Sequence, residues 1–359
     1  MPTVVREDFL RQLNIAKQAL ITSRPFLPIL SCFCFEGERV TSYNDYLAIQ
    51  VELGLNLEFT GGVNGEDLLA FLGAIGSKEA SITIKGETFT LKGGTSELKL
   101  PVINKDMFLF QPPNFPKKTS TEIALTTEWI DGLKFCLIPT AEADIHQPEL
   151  KGMTFCPTGK KIEIYSTNRN RLNFVTIPFD CGEMKYTCLP QEFLHLTLGS
   201  MKEKEEPVLL ISKMNIASAL ESCLIFSSMI EVKQDQRLPY QTLVKQLTAK
   251  PGTRFKIPEG LADSMRRARI ITGDDVQSHV SASASGGRIT FQASSPRGEF
   301  KEVCSWPSKD KMEFKINPVQ LLDSINGCSE MAVQKLAITL YGEKRGMTRF
   351  LSLEQTEGE

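Results

Sequence analysis

Gly37-Glu-Arg-Val-Thr-Ser-Tyr43, Gly159-Lys-Lys-Ile-Glu-Ile-Tyr165 and Gly287-Arg-Ile-Thr-Phe-Gln-Ala293 are three versions of one phrase. Each has a glycine, a basic residue just after it, a β-branched residue and an alternating run. Alternation of period two reads as a half-buried strand, and the glycine ahead of it as a hairpin turn. Each phrase follows another strand-like run, at 29–35, 152–156 and 279–284. Each leads into a further one, at 47–53, 172–177 and 300–306. The chain therefore contains three antiparallel meanders.

Working outward, each meander is followed by a helix start and an apolar helix: Asn64-Gly-Glu-Asp-Leu-Leu-Ala-Phe-Leu72, Leu189-Pro-Gln-Glu-Phe-Leu-His-Leu196 and Asn317-Pro-Val-Gln-Leu-Leu-Asp-Ser-Ile325. Asn64 and Asn317 are side chains that cap a helix by accepting an orphan backbone N–H. Pro190 and Pro318 suit a first turn, where a missing N–H costs nothing. Leu68, Phe71, Leu72 and Ile75 fall on one helical face. Alternating runs close each unit, at 81–92, 208–212 and 336–353, and an amphipathic helix opens each one, at 6–20, 127–137 and 259–271. In the first of these helices Leu10, Leu13, Ala16 and Leu20 share a side. The repeat is about 120–130 residues long, the size of a domain rather than a solenoid unit. The expected fold class is α+β, with three domains of one design, each of two helices packed on antiparallel sheets. The domains are expected at 1–115, 119–243 and 246–359. The polar, proline-rich stretch near 112–118 and the stretch 243–252 are the expected junctions.

The 359 residues are too many for one ordinary core, and 41% hydrophobic with 23% charged residues is ordinary globular composition. No apolar run is long enough to span a membrane, and the acidic N-terminus lacks the pattern of a secretory signal. A cytoplasmic location without membrane attachment is the expectation. The nine cysteines are scattered, with no CxxC pair, and read as free thiols. The net charge of −2 does not announce nucleic acid, but local distribution sets the field that DNA feels.

Arg24-Pro-Phe-Leu-Pro-Ile-Leu30 resembles a stretch near the start of bacterial DNA polymerase III beta subunits, the beta sliding clamps. Gly152-Met-Thr-Phe155, Thr167-Asn-Arg-Asn-Arg-Leu172 and Arg237-Leu-Pro-Tyr240 resemble three more stretches of that family, and the likeness runs the length of the chain. It implies a head-to-tail homodimer, a closed ring of six domains with helices lining the hole. The function so implied is that of a processivity factor. It would encircle double-stranded DNA without reading sequence, tether a DNA polymerase, and be opened by a clamp loader. It would have no catalytic role and no cofactor.

The resemblance places Leu98 and Leu100 of the first domain and Ile270 and Ile271 of the third at the dimer contact. It places Leu150, Thr167, Arg169, Asn170, Leu172, Pro239, Leu243, Leu351 and Leu353 around a cleft for partner peptides. Such a cleft suits a short peptide with apolar anchors. Lys17, Arg24, Lys134, Lys202, Lys204, Arg266, Arg267 and Arg269 are the expected DNA contacts, on helices facing the hole. Phosphate contacts of this kind carry no sequence information and permit sliding.

The chain departs from the family where Arg169 and Asn170 replace Gly-His, where an Asp is missing between Pro239 and Tyr240, and in its acidic tail. These departures imply an altered partner preference, as in a phage or mobile-element clamp serving its own polymerase. The alternative reading is a ring-shaped DNA-associated interaction protein whose polymerase binding is altered or lost. An enzyme is disfavoured. The three histidines, His146, His195 and His279, have no metal-ligand spacing, and no nucleotide-binding or nucleophile motif is present. His195 reads as a core or boundary residue. Asp274-Asp275 reads as a solvated turn.

Overall fold

The computed structural model describes residues 2–23, 25–138, 147–249, 252–274, 278–344 and 346–353. Among them are seven α-helices: α1 (Arg6–Ala16), α2 (Gly65–Ala74), α3 (Thr127–Cys136), α4 (Gln191–Ser200), α5 (Tyr240–Thr248), α6 (Leu261–Thr272) and α7 (Pro318–Ile325). The element order strand, helix, three-strand meander, strand, helix, three strands occurs three times, with α5 as the one inserted helix. The fold is α+β with four antiparallel sheets, and it is the fold class expected from the repeats.

The helix ends follow the sequence. Asn64 accepts the Asp67 N–H at 3.0 Å and Asn317 accepts the Gln320 N–H at 2.9 Å. α1 stops at Ala16 and tightens into a 3-10 turn at Lys17–Ala19. Its buried residues are Phe9, Leu13 and Ala16, so Phe9 takes the place expected for Leu10. Pro190 stands just before α4 rather than in its first turn, and His195 on that helix is exposed, not part of the core. The stretch expected as a second junction is α5, anchored by Tyr240 at 2% exposure. All nine cysteines are free, and most are buried.

The chain divides into two compact bodies, Met1–Ile130 with Leu189–Met229, and Asp131–Cys188 with Ile230–Glu359. In the first body a four-stranded sheet runs Thr3–Val5, Glu79–Lys85, Thr88–Gly93, Ser96–Pro101, leaving Ser96–Pro101 at the edge. The longer sheet of that body joins two half-sheets. Thr60–Asn64, Cys32–Glu36, Arg39–Tyr43 and Leu47–Glu52 form one. Cys223–Ser228, Asn215–Ala219, Val208–Ile211 and Thr121–Ala124 form the other. The seam is antiparallel, with Ile225 opposite Ile49 and Phe226 opposite Ala48.

The second body repeats the design. Its seam joins the meander Gly152–Thr158, Lys161–Thr167, Arg171–Pro178 to Met347–Ser352, Ala337–Gly342, Cys328–Val333 and Phe255–Lys256. It too is antiparallel, with Arg171 opposite Leu351 and Val175 opposite Met347. A further four-stranded sheet runs Gly298–Ser305, Arg288–Ser295, Val280–Ser285, Met312–Ile316, leaving Gly298–Ser305 at the edge. In both seams the last strand of a meander meets the last strand of a closing run. Two half-sheets remain without such a partner, and their free edges are again the last strand of a closing run, Ser96–Pro101, and the last strand of a meander, Gly298–Ser305.

Among the described residues, no helix is long and apolar enough to cross a membrane.

Candidate functional site

Strand pairing in the second body gathers a buried aromatic cluster where part of the cleft was expected. Leu172 stands opposite Phe350 across the seam, and the two cluster with Tyr165 and Tyr240. The Tyr165 and Tyr240 rings stack at 4.8 Å and 13°, and Tyr165 also stacks on Phe174 at 5.1 Å. Ring pairs at such separations add to the burial of their area. The Tyr165 hydroxyl donates to Glu163 at 2.8 Å, and Gln241 of α5 donates to the same carboxylate at 2.9 Å. α5 is thus fixed by its first turn, and it leaves Pro239 and Leu243 exposed beside the cluster. A cavity of ≈ 380 Å³ adjoins it, lined by Cys156, Met184, Tyr186, Arg237 and Pro239 among others. The Arg237 guanidinium lies 4.1 Å above the Tyr186 ring.

The turn at the cleft rim is closed by Thr167, which is buried and donates to the Arg171 carbonyl at 2.6 Å. Within it, exposed Arg169 adopts φ +76°, a region that favours glycine. The Asn170 carbonyl accepts both the N–H and the hydroxyl of Ser352, at 2.9 and 3.0 Å, which ties the turn to the neighbouring strand.

Leu150 is buried beside Glu149. The Glu149 carboxylate is fully buried and accepts the Leu238 N–H at 2.8 Å, so it holds the segment that leads into Pro239. Burial pushes the Glu149 carboxyl up to about 7, against the opposing pull of the Leu238 N–H.

Leu351 and Leu353 are not in this cluster. Both are buried in a separate core with Leu261, Met265 and Leu340, on the other face of the sheet from Leu172. Successive residues of a strand face opposite ways, so Phe350 shares the face of Leu172 while Leu351 and Leu353 share the other.

Of the expected dimer residues, Leu98 and Leu100 lie on the Ser96–Pro101 edge strand, and Ile270 and Ile271 lie at the end of α6. Leu98 is half-buried, whereas Leu100 is only 7% exposed and packs inside its own chain. Ile270 is 70% exposed on α6, and Ile271 is half-buried beside Gly298. Val303, on the Gly298–Ser305 edge, is 55% exposed and had not been singled out.

The basic residues are exposed but not all helical. Lys134 lies on α3, and Arg266, Arg267 and Arg269 lie on α6. Lys17 is in the 3-10 turn after α1. Lys202 and Lys204 lie beyond the end of α4, and Lys202 pairs with Glu221 at 2.8 Å. Each arginine of α6 already has an acid: Arg266 meets Asp263 at 2.5 Å, Arg267 meets Glu302 at 2.6 Å, and Arg269 meets Asp274. Arg24 lies outside the described residues.

The chain is similar in fold to several solved structures. The chain aligns over 99% of its length, and 99% of theirs, with a DNA polymerase III beta subunit from Streptococcus pyogenes (17% identity, TM-score 0.83) and one from Thermotoga maritima (13%, 0.80). A putative beta subunit from Eubacterium rectale gives 14% and 0.83 over the same coverage.

This chain has the beta-subunit clamp fold.

No protein-family model matches the chain, and no curated protein matches it by sequence. The clamp fold accounts for the threefold element order and for the seams that join the half-sheets of each body. At such low identity it is the fold that is shared.

Proposed function

We propose that this protein is a sliding clamp, a non-catalytic processivity factor that encircles duplex DNA and tethers a polymerase to it. The observation that carries the reading is the pair of leftover sheet edges. The chain makes the same antiparallel seam twice and retains one half-sheet of each kind. A second copy supplies the missing partner on both sides, giving a head-to-tail homodimer closed by two intermolecular seams. Leu98, Ile270, Ile271 and Val303 are the apolar side chains available to such a contact. The three domains of the clamp are taken as 1–115, 119–243 and 246–359.

Lys17, Lys134, Lys202, Lys204, Arg24 and the α6 arginines are the proposed phosphate contacts. Four of these cations, Lys202 and the three α6 arginines, have an acid at hand, so phosphates compete with carboxylates for them. That weakens the grip, as a sliding protein requires, while topology retains the DNA. Partner peptides would use the cleft around Leu172, Phe350, Tyr240, Pro239 and Leu243. A clamp loader would open the ring.

The test is loading on nicked circular DNA. Retention on the circle, with release after linearisation, supports the clamp. Equal loss from circular and linear DNA refutes it. A second reading, a ring with altered polymerase binding, is favoured by Arg169, which puts a bulky cation on the cleft rim. Normal affinity for a conventional clamp-binding peptide would remove that reading.

A further inference from the structure

The Arg171–Pro178 strand bears the cleft on one face, through Leu172 and Phe174. On its other face, Arg171 and Asn173 border a separate cavity of ≈ 270 Å³, closed by Ser324, Asp323 and Arg349. We propose that this cavity binds a small oxyanion of the phosphate class, either inorganic phosphate or the phosphoryl group of a small ester.

Two guanidinium groups are buried around it, Arg171 at 6% and Arg349 at 9% exposure. Removing such charges from water is costly unless they are neutralised and hydrogen-bonded. Arg349 is used in part by the fold. It donates to the Ser324 carbonyl at 2.8 Å, the Asn326 carbonyl at 2.6 Å and the Phe135 carbonyl at 2.9 Å. These carbonyls close the end of α7 and the end of α3, and the Phe135 carbonyl also accepts from Asn173 Nδ2 at 3.0 Å. Its face lies 4.0 Å from the Phe135 ring. Arg171 is less satisfied, with one long contact of 3.5 Å to Asp323, whose side chain is half-exposed.

Among the described residues the charges do not balance, since two cations share one carboxylate. Nor do the hydrogen bonds: the Nε atoms of Arg171 and Arg349, the Ser324 hydroxyl and the acceptor Asn173 Oδ1 are buried without a partner among those residues. Burial draws the Arg171 guanidinium below its usual range, and only Asp323 opposes this. A group that brings negative charge and several acceptor oxygens satisfies the three donors at once, and a protonated oxygen of the same group can donate to Asn173 Oδ1. Guanidinium geometry matches a tetrahedral oxyanion, and the hydroxyl of Ser324 adds a third donor. The volume holds more than a bare ion, because a water molecule occupies only about 30 Å³.

The site lies across the sheet from the peptide cleft and does not depend on the clamp reading. Thermal melts of the full chain in sodium phosphate and in glycerol 3-phosphate, each against chloride at matched ionic strength, test it. A saturable rise in Tm with phosphate, absent with chloride, is expected, and Arg171→Gln should weaken the apparent affinity by about tenfold or more. Binding of both probes assigns the phosphoryl group as the recognised unit. Binding of phosphate alone restricts the site to the free ion. Equal responses to phosphate and chloride, or wild-type affinity in Arg171→Gln, overturn the proposal. Should Arg171→Gln not fold, Ser324→Ala decides: its phosphate affinity must fall, and an unchanged value overturns the proposal equally.

Discussion

Leu172 and Leu351 lie on paired neighbouring strands and face opposite sides of one sheet: Leu172 stands opposite Phe350, and Leu351 stands opposite Arg171. The partner on the cleft side of the Met347–Ser352 strand is therefore Phe350. Leu351→Ala removes a core side chain at 0% exposure and should cost about 2–5 kcal/mol of stability. It should leave the peptide affinity of the folded protein nearly unchanged. Phe350 is only 3% exposed, so Phe350→Ala should also cost stability, about 3–5 kcal/mol, but in the folded variant it should weaken that affinity by about tenfold or more. Urea denaturation and peptide titration under native conditions measure the two effects in each variant. A larger affinity loss in Leu351→Ala would contradict this assignment.

Arg169 occupies a left-handed backbone conformation, φ +76°. Glycine accepts that geometry without a Cβ clash, although it loses more freedom on folding. Arg169→Gly should therefore stabilise the protein by about 0.5–1 kcal/mol. The readout is the shift in denaturation midpoint at constant m. A loss of stability would mean that the arginine side chain contributes more than its backbone strain costs.

Glu149 gives stability a defined pH dependence. Its carboxyl is raised in the folded chain to about 7, from 4.5 as the ordinary value. The native state thus holds a proton that the unfolded state has released across that window. The contribution is complete below the unfolded value and is lost as pH rises through about 7, by an amount on the order of 3 kcal/mol. Glu149→Gln keeps an acceptor for the Leu238 N–H and removes the charge. It should be more stable than the parent at pH 8 and similar to it at pH 4. A difference between the two that does not change with pH would rule out this titration.

Val303 is exposed in the single chain, so Val303→Asp should leave its fold unchanged. Placed on a pairing edge, the carboxylate should weaken self-association by about a hundredfold. Light scattering at micromolar concentration would then report one chain where the parent gives two. A parent that is already monomeric, or a dimer indifferent to this change, would contradict the proposed seam.

Much of the fold was legible because its signals are local. Period-two runs behind glycines gave the meanders, and Asn64 and Asn317 marked helix starts by side chains that do cap them. The seams were not legible, since which strand meets which across long separations leaves no short-range trace. The stretch 243–252, expected as a junction, begins inside α5 (Tyr240–Thr248), whose helix follows Arg237-Leu-Pro. Of the expected cleft residues, Leu172 lies in the aromatic cluster, Pro239 and Leu243 are exposed on the segment beside it, and Leu351 and Leu353 face the other side of the sheet. The cavity between Arg171 and Arg349 was invisible, because two arginines far apart in sequence become neighbours only through pairing of their strands.

A molecule with complementary borders at Ser96–Pro101 and Gly298–Ser305 can either cyclise or grow. The turn imposed at each junction, not the strength of the junction, decides how many copies complete a loop, and a turn that misses closure yields a fibre. Once a loop is complete, added protein makes more loops rather than longer ones. Such a loop can come apart only at its non-covalent clasps, because everywhere else the polypeptide itself carries the load.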